Sequence, residues 1–187
     1  MKIRIKKFKT VKSTNDIAIK LIQKNNSEPT LITCEKQTKG RGRMGKNWIS
    51  EKGNLFFTIF FKLEKKNINF KQFSILNAML IKYLISKKFT KKISIKWPND
   101  LLFKDRKFCG ILQELVKFNQ FDYLIVGIGI NTNKASQNKD FQSTCLKNIV
   151  NKKISNQVIL KNILTIYGKF LNETKKMSFT ELKRKYR

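Results

Sequence analysis

Residues 40–48 read Gly-Arg-Gly-Arg-Met-Gly-Lys-Asn-Trp, a run that joins glycine to fixed positive charge. Glycine lets the backbone approach a ligand closely or take positive φ. Arg41, Arg43 and Lys46 beside those glycines make a cationic arm suited to a phosphate or a carboxylate. A solvated basic loop, or a piece of an arginine–glycine nucleic-acid segment, would carry the same residues, so the loop alone leaves these readings open. It is also a near miss to the phosphate-binding pattern G-x-x-x-x-G-K-S/T. Gly40, Gly45 and Lys46 fit, but Asn47 stands where a hydroxyl would hold magnesium, and Trp48, Ser50 and Gly53 then make poor helix sequence.

Three later segments have chemistry to offer. Lys96-Trp97-Pro98-Asn99-Asp100 ends a strand abruptly, because proline stops the ladder and leaves two polar residues at its end. A plain Asx-type turn beside a packed tryptophan reads the same way. Residues 106–112 put Lys107 at a strand start and Gly110 inside the strand. Residues 127–131 put Gly127 and Gly129 on one face and Asn131 at the strand end. A flat ligand fits over such bare positions, and so does tight sheet packing.

Absent residue types narrow the chemistry. The chain has no histidine, which excludes Ser-His-Asp and Cys-His catalysis and histidine metal sites. Cys34, Cys109 and Cys145 form no C-x-x-C pair and read as buried, reduced thiols suited to a cytoplasm.

The elements that must position these residues are legible in outline. The length of 187 residues, 41% of them hydrophobic and 15 of them Phe, fits one domain with a real core. Ser13 reads as the cap of a helix to about residue 24, with Asp16 completing a capping box. Strands are expected at residues 30–35, 54–63, 93–97, 101–103, 108–116 and 121–130, and helices at 71–87 and 158–171. Residues 37–53 read as an aperiodic loop, 133–156 as polar and weakly patterned, and 172–187 as partly helical or frayed. The fold expected is α+β: a mixed, largely antiparallel sheet with flanking helices.

The formal net charge of +29 points to a polyanionic partner, or to the lysine and asparagine drift of an A/T-rich genome. The basic N-terminus has no apolar run behind it, and the apolar stretch 55–61, broken by Thr58, is too short to span a bilayer. A soluble, cytoplasmic protein with no membrane partner is expected.

Taken together and in order, Ser13-Thr14-Asn15, residues 37–48 with Gly53-Asn54-Leu55, and residues 96–101, 107–112 and 127–131 resemble the catalytic domain of biotin–protein ligases. The resemblance covers about residues 8–133 and implies a single catalytic domain over 1–187. It implies an ATP-dependent, AMP-forming ligase with ATP, biotin and Mg2+ as reactants. Biotin's carboxylate attacks the α-phosphate of Mg-ATP, giving biotinyl-5′-AMP and pyrophosphate. A lysine of a biotin carboxyl carrier domain of acetyl-CoA carboxylase then takes the biotin. For biotin the resemblance implies Ser13, Thr14, Asn15, Gln37, Gly40, Arg41, Gly42, Arg43, Lys107, Gly110 and Gly129. For ATP it implies Arg43, Lys46, Trp48, Lys96, Asn99, Lys107 and Asn131. Lys107, Arg43 and Asp100 are the catalytic candidates, with Asp100 as base or as help with magnesium.

Elementary chemistry agrees with that inventory. The first nucleophile is a carboxylate, ionised at neutral pH, so no histidine is needed. The difficulty is bringing two anions together, which fixed cations and backbone amides relieve. The glycine loop would exclude water from the adenylate, and its want of apolar anchors predicts that it orders on ligand binding. Lys107, beside a turn, is expected to reach solvent or ligand and to contribute little packing.

The chain departs from the family pattern at Lys46, where arginine is usual, and at Glu51, where proline is common. Neither the winged-helix DNA-binding domain nor the small C-terminal β-domain of some members is expected, so no specific nucleic acid partner is, and the assembly is a monomer or homodimer. A lipoate ligase of the same fold is the nearest alternative, though its usual His-Asp pair is ruled out. A nucleic-acid-binding module would interleave aromatics with cations on one face, whereas most aromatics here fall in strands. A protein that holds biotin or its adenylate without turnover completes the alternatives.

Overall fold

The computed structural model describes residues 1–64, 68–137 and 141–187. Residues 138–140, within the stretch expected to be polar and weakly patterned, lie outside the described residues. In chain order the elements are β1 (Arg4–Val11), α1 (Thr14–Gln23), β2 (Thr30–Gln37), a 3-10 turn (Arg43–Gly45), β3 (Leu55–Lys62), α2 (Phe70–Lys88), β4 (Ile93–Lys96), β5 (Asp100–Phe103), β6 (Arg106–Phe118), β7 (Phe121–Ile130), α3 (Leu146–Val150), α4 (Asn156–Glu173) and α5 (Phe179–Lys185).

The strands form one sheet in the order β1-β2-β3-β7-β6-β5-β4. β1 and β2 run parallel, joined through α1, and the other neighbours run antiparallel. This is the mixed, largely antiparallel sheet with flanking helices that the patterning implied. Two hairpins close on residues with positive φ, Lys104-Asp105 and Asn119-Gln120. Such turns match the twist of the strands they join.

β3 lies in mid-sheet and is buried from Leu55 through Phe61, so its side chains must satisfy two layers. Leu55, Phe57, Ile59 and Phe61 join a core with Leu76, Leu80, Ile163, Phe170 and Leu182 of α2, α4 and α5. The opposite face is thinner. There Phe60, Ile32 and Ile125 pack on Ala18 and Ile22 of α1, and Phe56 packs with Val11, Cys34 and Trp48. The uncovered part of that second face is where a ligand can be received.

Several local readings need correction. β1 was not expected: its residues are exposed from Arg4 to Thr10, so burial imposed no apolar alternation on this lysine-rich edge. α3 lies in the stretch read as weakly patterned. Ser13 is the N-cap of α1, but its hydroxyl makes no capping hydrogen bond. Capping boxes occur instead at Asn69–Gln72 and Ser178–Glu181. The 37–53 loop is not wholly irregular, since it holds the 3-10 turn and a bridge between Arg41 and Asn47.

Behind the sheet a polar chain, buried at Tyr167 and Asn77, ties three elements. Tyr167 Oη donates to Asn77 Oδ1 at 3.0 Å, Asn77 Nδ2 to Gln113 Oε1 at 2.9 Å, and Gln113 Nε2 to the Phe70 carbonyl at 2.7 Å. Tyr167→Phe strips the donor from a buried amide oxygen. It should cost roughly 1–3 kcal/mol, read as a lower urea midpoint at unchanged slope. An unchanged midpoint would show that the chain of hydrogen bonds contributes nothing.

Candidate active site

Directly paired residues of neighbouring antiparallel strands share a face, so the pairing register lays out the floor of the site. Phe56, Gly129, Gly110 and Asp100 form one row across β3, β7, β6 and β5. Thr58, Gly127 and Leu112 form the next, and Phe60, Ile125 and Glu114 a third.

The glycines are bare because something lies on them. A Cβ at Gly129 would sit 2.3 Å from Trp48 Cε2, and one at Gly110 would sit 2.6 Å from Trp48 Cζ3. One at Gly127 would sit 2.2 Å from Asn15 Oδ1. The flat group over Gly110 and Gly129 is therefore the indole of Trp48. It also supplies the apolar anchor that the loop seemed to lack. Its Nε1 is buried without a hydrogen-bond partner.

Next to the indole, the start of α1 is fastened to β2 and β3. Gln37 Oε1 accepts from Thr14 N at 2.8 Å and Thr14 Oγ1 at 3.0 Å, and Gln37 Nε2 donates to Ser50 Oγ at 2.9 Å. Thr58 Oγ1 lies 2.7 Å from Thr14 Oγ1 and 2.6 Å from Asn15 Oδ1. It has one proton, and Asn15 Oδ1 can only accept, so that proton goes to Asn15. Thr58 had been read only as an interruption of an apolar run. A lone hydroxyl in a phenylalanine-rich strand was the signal.

The cations come in from the other strands. β6 carries one extra residue against β5, because Leu101 pairs with Cys109 but Leu102 pairs with Lys107. The bulged residue, Phe108, joins the core with Cys109. Unbulged alternation would send Lys107 to that core too; the bulge turns it to the cleft. There Lys107 Nζ lies 2.9 Å from Asp100 Oδ1, and the two side chains are only 15% and 19% exposed. The contact is an ion pair without hydrogen-bond alignment, since Asp100 Oδ1 has no hydrogen-bond partner. Lys107 Nζ also sits 4.7 Å from the Phe141 ring centre and 5.4 Å from that of Trp48. It is thus packed and paired, contrary to the expectation of a lysine with little packing.

Asn99 is clamped to β6 through Ile111: Asn99 Nδ2 donates to the Ile111 carbonyl at 3.1 Å, and Ile111 N donates to Asn99 O at 2.9 Å. Its Oδ1 accepts from Arg43 Nη1 at 3.0 Å. A cavity of about 60 Å³ is lined by Ser13, Thr14, Asn15, Gln37, Arg41, Gly42, Arg43, Trp48, Asn99, Asp100, Lys107, Gly110 and Gly129, among others. A wider cleft of about 1180 Å³ adjoins it, with Lys46 and Lys96 on its walls.

Two expected residues line neither the cavity nor the cleft. Asn131 is buried and turned to the following loop, where its Nδ2 donates to Ser136 Oγ and the Thr144 carbonyl, both at 3.3 Å. Gly40 packs inside the loop, where a Cβ would sit 2.4 Å from the Trp48 carbonyl oxygen. Missed altogether were Phe141 and Glu114; the second shares the face of Gly110 and Leu112, and this alternation was its only trace in the sequence.

All three cysteines are buried free thiols. Burial pushes the Cys34 thiol up to about 12, and Cys109 higher still, so both stay protonated at neutral pH and are poor nucleophiles. Among the described residues no group of three or more His, Cys, Asp or Glu could hold a metal ion.

The profile of the Biotin/lipoate A/B protein ligase family matches residues 7–131. The chain belongs to that family. It is 31% identical over 180 residues to the bifunctional ligase/repressor BirA of Bacillus spizizenii, covering 92% of this chain and 55% of that one. It is 35% identical over 123 residues to the BirA of Escherichia coli, covering 65% and 38%. The chain thus spans about half the length, or less, of these curated relatives. Its fold superposes on the biotin protein ligase of Aquifex aeolicus in complex with biotin and ATP with a TM-score of 0.82 at 33% identity, covering 98% of this chain and 76% of that one. As a member of the biotin/lipoate A/B ligase family it carries the family's sheet, and among the described residues no helix is long and apolar enough to cross a membrane.

Proposed function

We propose that this chain is a biotin–protein ligase domain that forms biotinyl-5′-AMP from biotin and Mg-ATP and passes the biotinyl group to a lysine of a biotin carboxyl carrier domain. The observation that carries the reading is one cavity lined both by neutral hydrogen-bonding groups, Ser13, Thr14, Asn15 and Gln37, and by the cations Arg43 and Lys107. The neutral set suits an uncharged ureido ring, and the cations suit a carboxylate beside a phosphate. The likeness to a structure that holds biotin and ATP supports the same reading.

In the first step a biotin carboxylate oxygen bonds to the α-phosphorus and pyrophosphate leaves. Lys107 and Arg43 offset the repulsion between the two anions, and Trp48 with the glycine loop keeps water off the mixed anhydride. Lys46, Lys96 and Asn99 face the nucleotide across the wider cleft. Magnesium would arrive with ATP; of the two cleft carboxylates, Asp100 and Asp105, Asp100 is the one that also lines the cavity and would help hold it. In the second step the acceptor amine attacks the acyl carbon, AMP leaves, and the amine proton passes to Asp100. A cytoplasm, where ATP and carboxylases meet, suits this activity.

The test is incubation of the purified chain with biotin and Mg-ATP, followed by an acceptor domain. Biotinyl-AMP, pyrophosphate and a biotinylated lysine are expected in turn. Adenylate formed from lipoate but not from biotin would overturn the biotin reading. Adenylate without transfer would leave only the first half of the activity.

A further inference from the structure

Arg41 is heavily paired. Its Nη1 and Nη2 donate to Glu114 Oε1 and Oε2 at 2.8 and 2.9 Å, and Nη2 lies 3.0 Å from Asp16 Oδ1. Glu114 Oε2 also accepts from Asn15 Nδ2 at 2.6 Å. One carboxylate on β6 therefore holds both the glycine loop and the first turn of α1. Two carboxylates face one guanidinium, which leaves the cluster no net positive charge for an anion. Burial alone pulls the Arg41 guanidinium down, but Glu114 and Asp16 more than reverse this and hold it above its ordinary value. Arg43 differs: it donates to the neutral amide of Asn99, so that bond leaves its charge uncancelled.

We propose that Glu114 is a positioning residue that clasps Arg41 and Asn15, so that Arg41 fastens the glycine loop to the sheet while Arg43 of the same loop meets the anions. The two arginines of the loop thus have different work. Arg41, Gly42, Arg43 and Trp48 of the loop all line the cavity, so the seating of the loop sets the cavity walls, and the clasp fixes that seating. The kinetic consequence rests on the biotin-activating reading; the clasp itself does not.

Both are tested with Glu114→Gln, Arg41→Gln and the double variant, alongside Asp16→Asn and Arg43→Gln. Glu114→Gln keeps shape and leaves an acceptor for Asn15, so the fold should survive, as melting would verify. Hydrogen exchange of residues 39–49, without substrates, should speed up about tenfold in Glu114→Gln and in Arg41→Gln, and no further in the double variant. Asp16→Asn should show a smaller change in the same direction. In the active enzyme Glu114→Gln and Arg41→Gln should each raise the biotin KM about tenfold, while the ATP KM and the single-turnover rate at saturating biotin hold. Arg43→Gln should instead lower that rate. Unchanged loop exchange in Glu114→Gln overturns the clasp, whether or not the chain makes an adenylate. Additive exchange effects in the double variant overturn the pairing. A rate loss in Arg41→Gln matching that of Arg43→Gln overturns the division of work. A wild-type chain that makes no adenylate refutes the proposed activity, and the exchange result still decides the clasp.

Discussion

Lys107→Gln should slow single-turnover formation of biotinyl-AMP by roughly 100- to 1000-fold, the effect of removing one preorganised donor from such a site. A carboxylate oxygen approaching a phosphate meets like charge, and a fixed ammonium offsets it where glutamine supplies only a dipole. The loss should fall on turnover more than on biotin affinity. The same variant also tests stability, because Lys107 is paired with Asp100 at 2.9 Å in a largely buried setting. Removing the lysine leaves a half-buried carboxylate without its counter-charge, at a cost of about 1–3 kcal/mol after discounting for residual solvent. Lys107→Gln combined with Asp100→Asn removes both charges, so it should recover much of the stability and none of the rate. A folded Lys107→Gln protein with near-normal adenylation would remove Lys107 from the reaction and move the active site elsewhere.

That the sequence predicts a ligand-facing Lys107 but little packing for it shows where sequence reasoning stops. The strand, its glycine and the lysine were all legible. The bulge at Phe108 was not, because Phe108 and Cys109 both look like core residues and both are. A one-residue bulge alters which face every residue before it occupies, and composition carries no mark of it. Other gaps have the same character. β1 is an exposed edge strand, whose ladder hydrogen bonds are indifferent to side-chain type. Thr58, Asp16 and Glu114 are single polar residues whose partners lie far along the chain, such as Asn15 for Glu114. Strands buried on one face or two, such as β3 and β7, were placed within a residue or so because burial itself writes the pattern. The motif residues Thr14, Asn15, Gln37, Arg43, Asn99 and Lys107 do converge on one cavity, whereas Asn131, at a strand end like Asn99, turns its side chain away.

Gly129→Ala should lower the adenylation rate by roughly 100-fold with little change in stability. The added methyl has no room while the indole is in place, since its carbon would sit 2.3 Å from Trp48 Cε2 and 2.4 Å from Nε1. β7 cannot retreat, because it is paired on both sides, to β3 and to β6. The indole is the movable partner, at the end of a side chain on a loop, so it lifts. Alanine is tolerated in a strand at least as well as glycine, which is why the fold should hold. What is lost is the seating of the loop that carries Arg43; unlike a loosened clasp, which bound biotin can close again, the methyl stays in the way at any biotin concentration, and a shift of about 1 Å in such a group can cost roughly 100-fold in rate. Trp48 emission reads the displacement directly. The only other tryptophan is the exposed Trp97, so a Trp97→Phe background isolates the signal. Emission should shift to the red in Gly129→Ala, and Trp48→Leu in the same background should restore none of the rate, since it relieves the clash but removes the flat cover. If Gly129→Ala left both emission and rate unchanged, the indole would not rest on the glycine floor, and those bare positions would be open to a ligand after all.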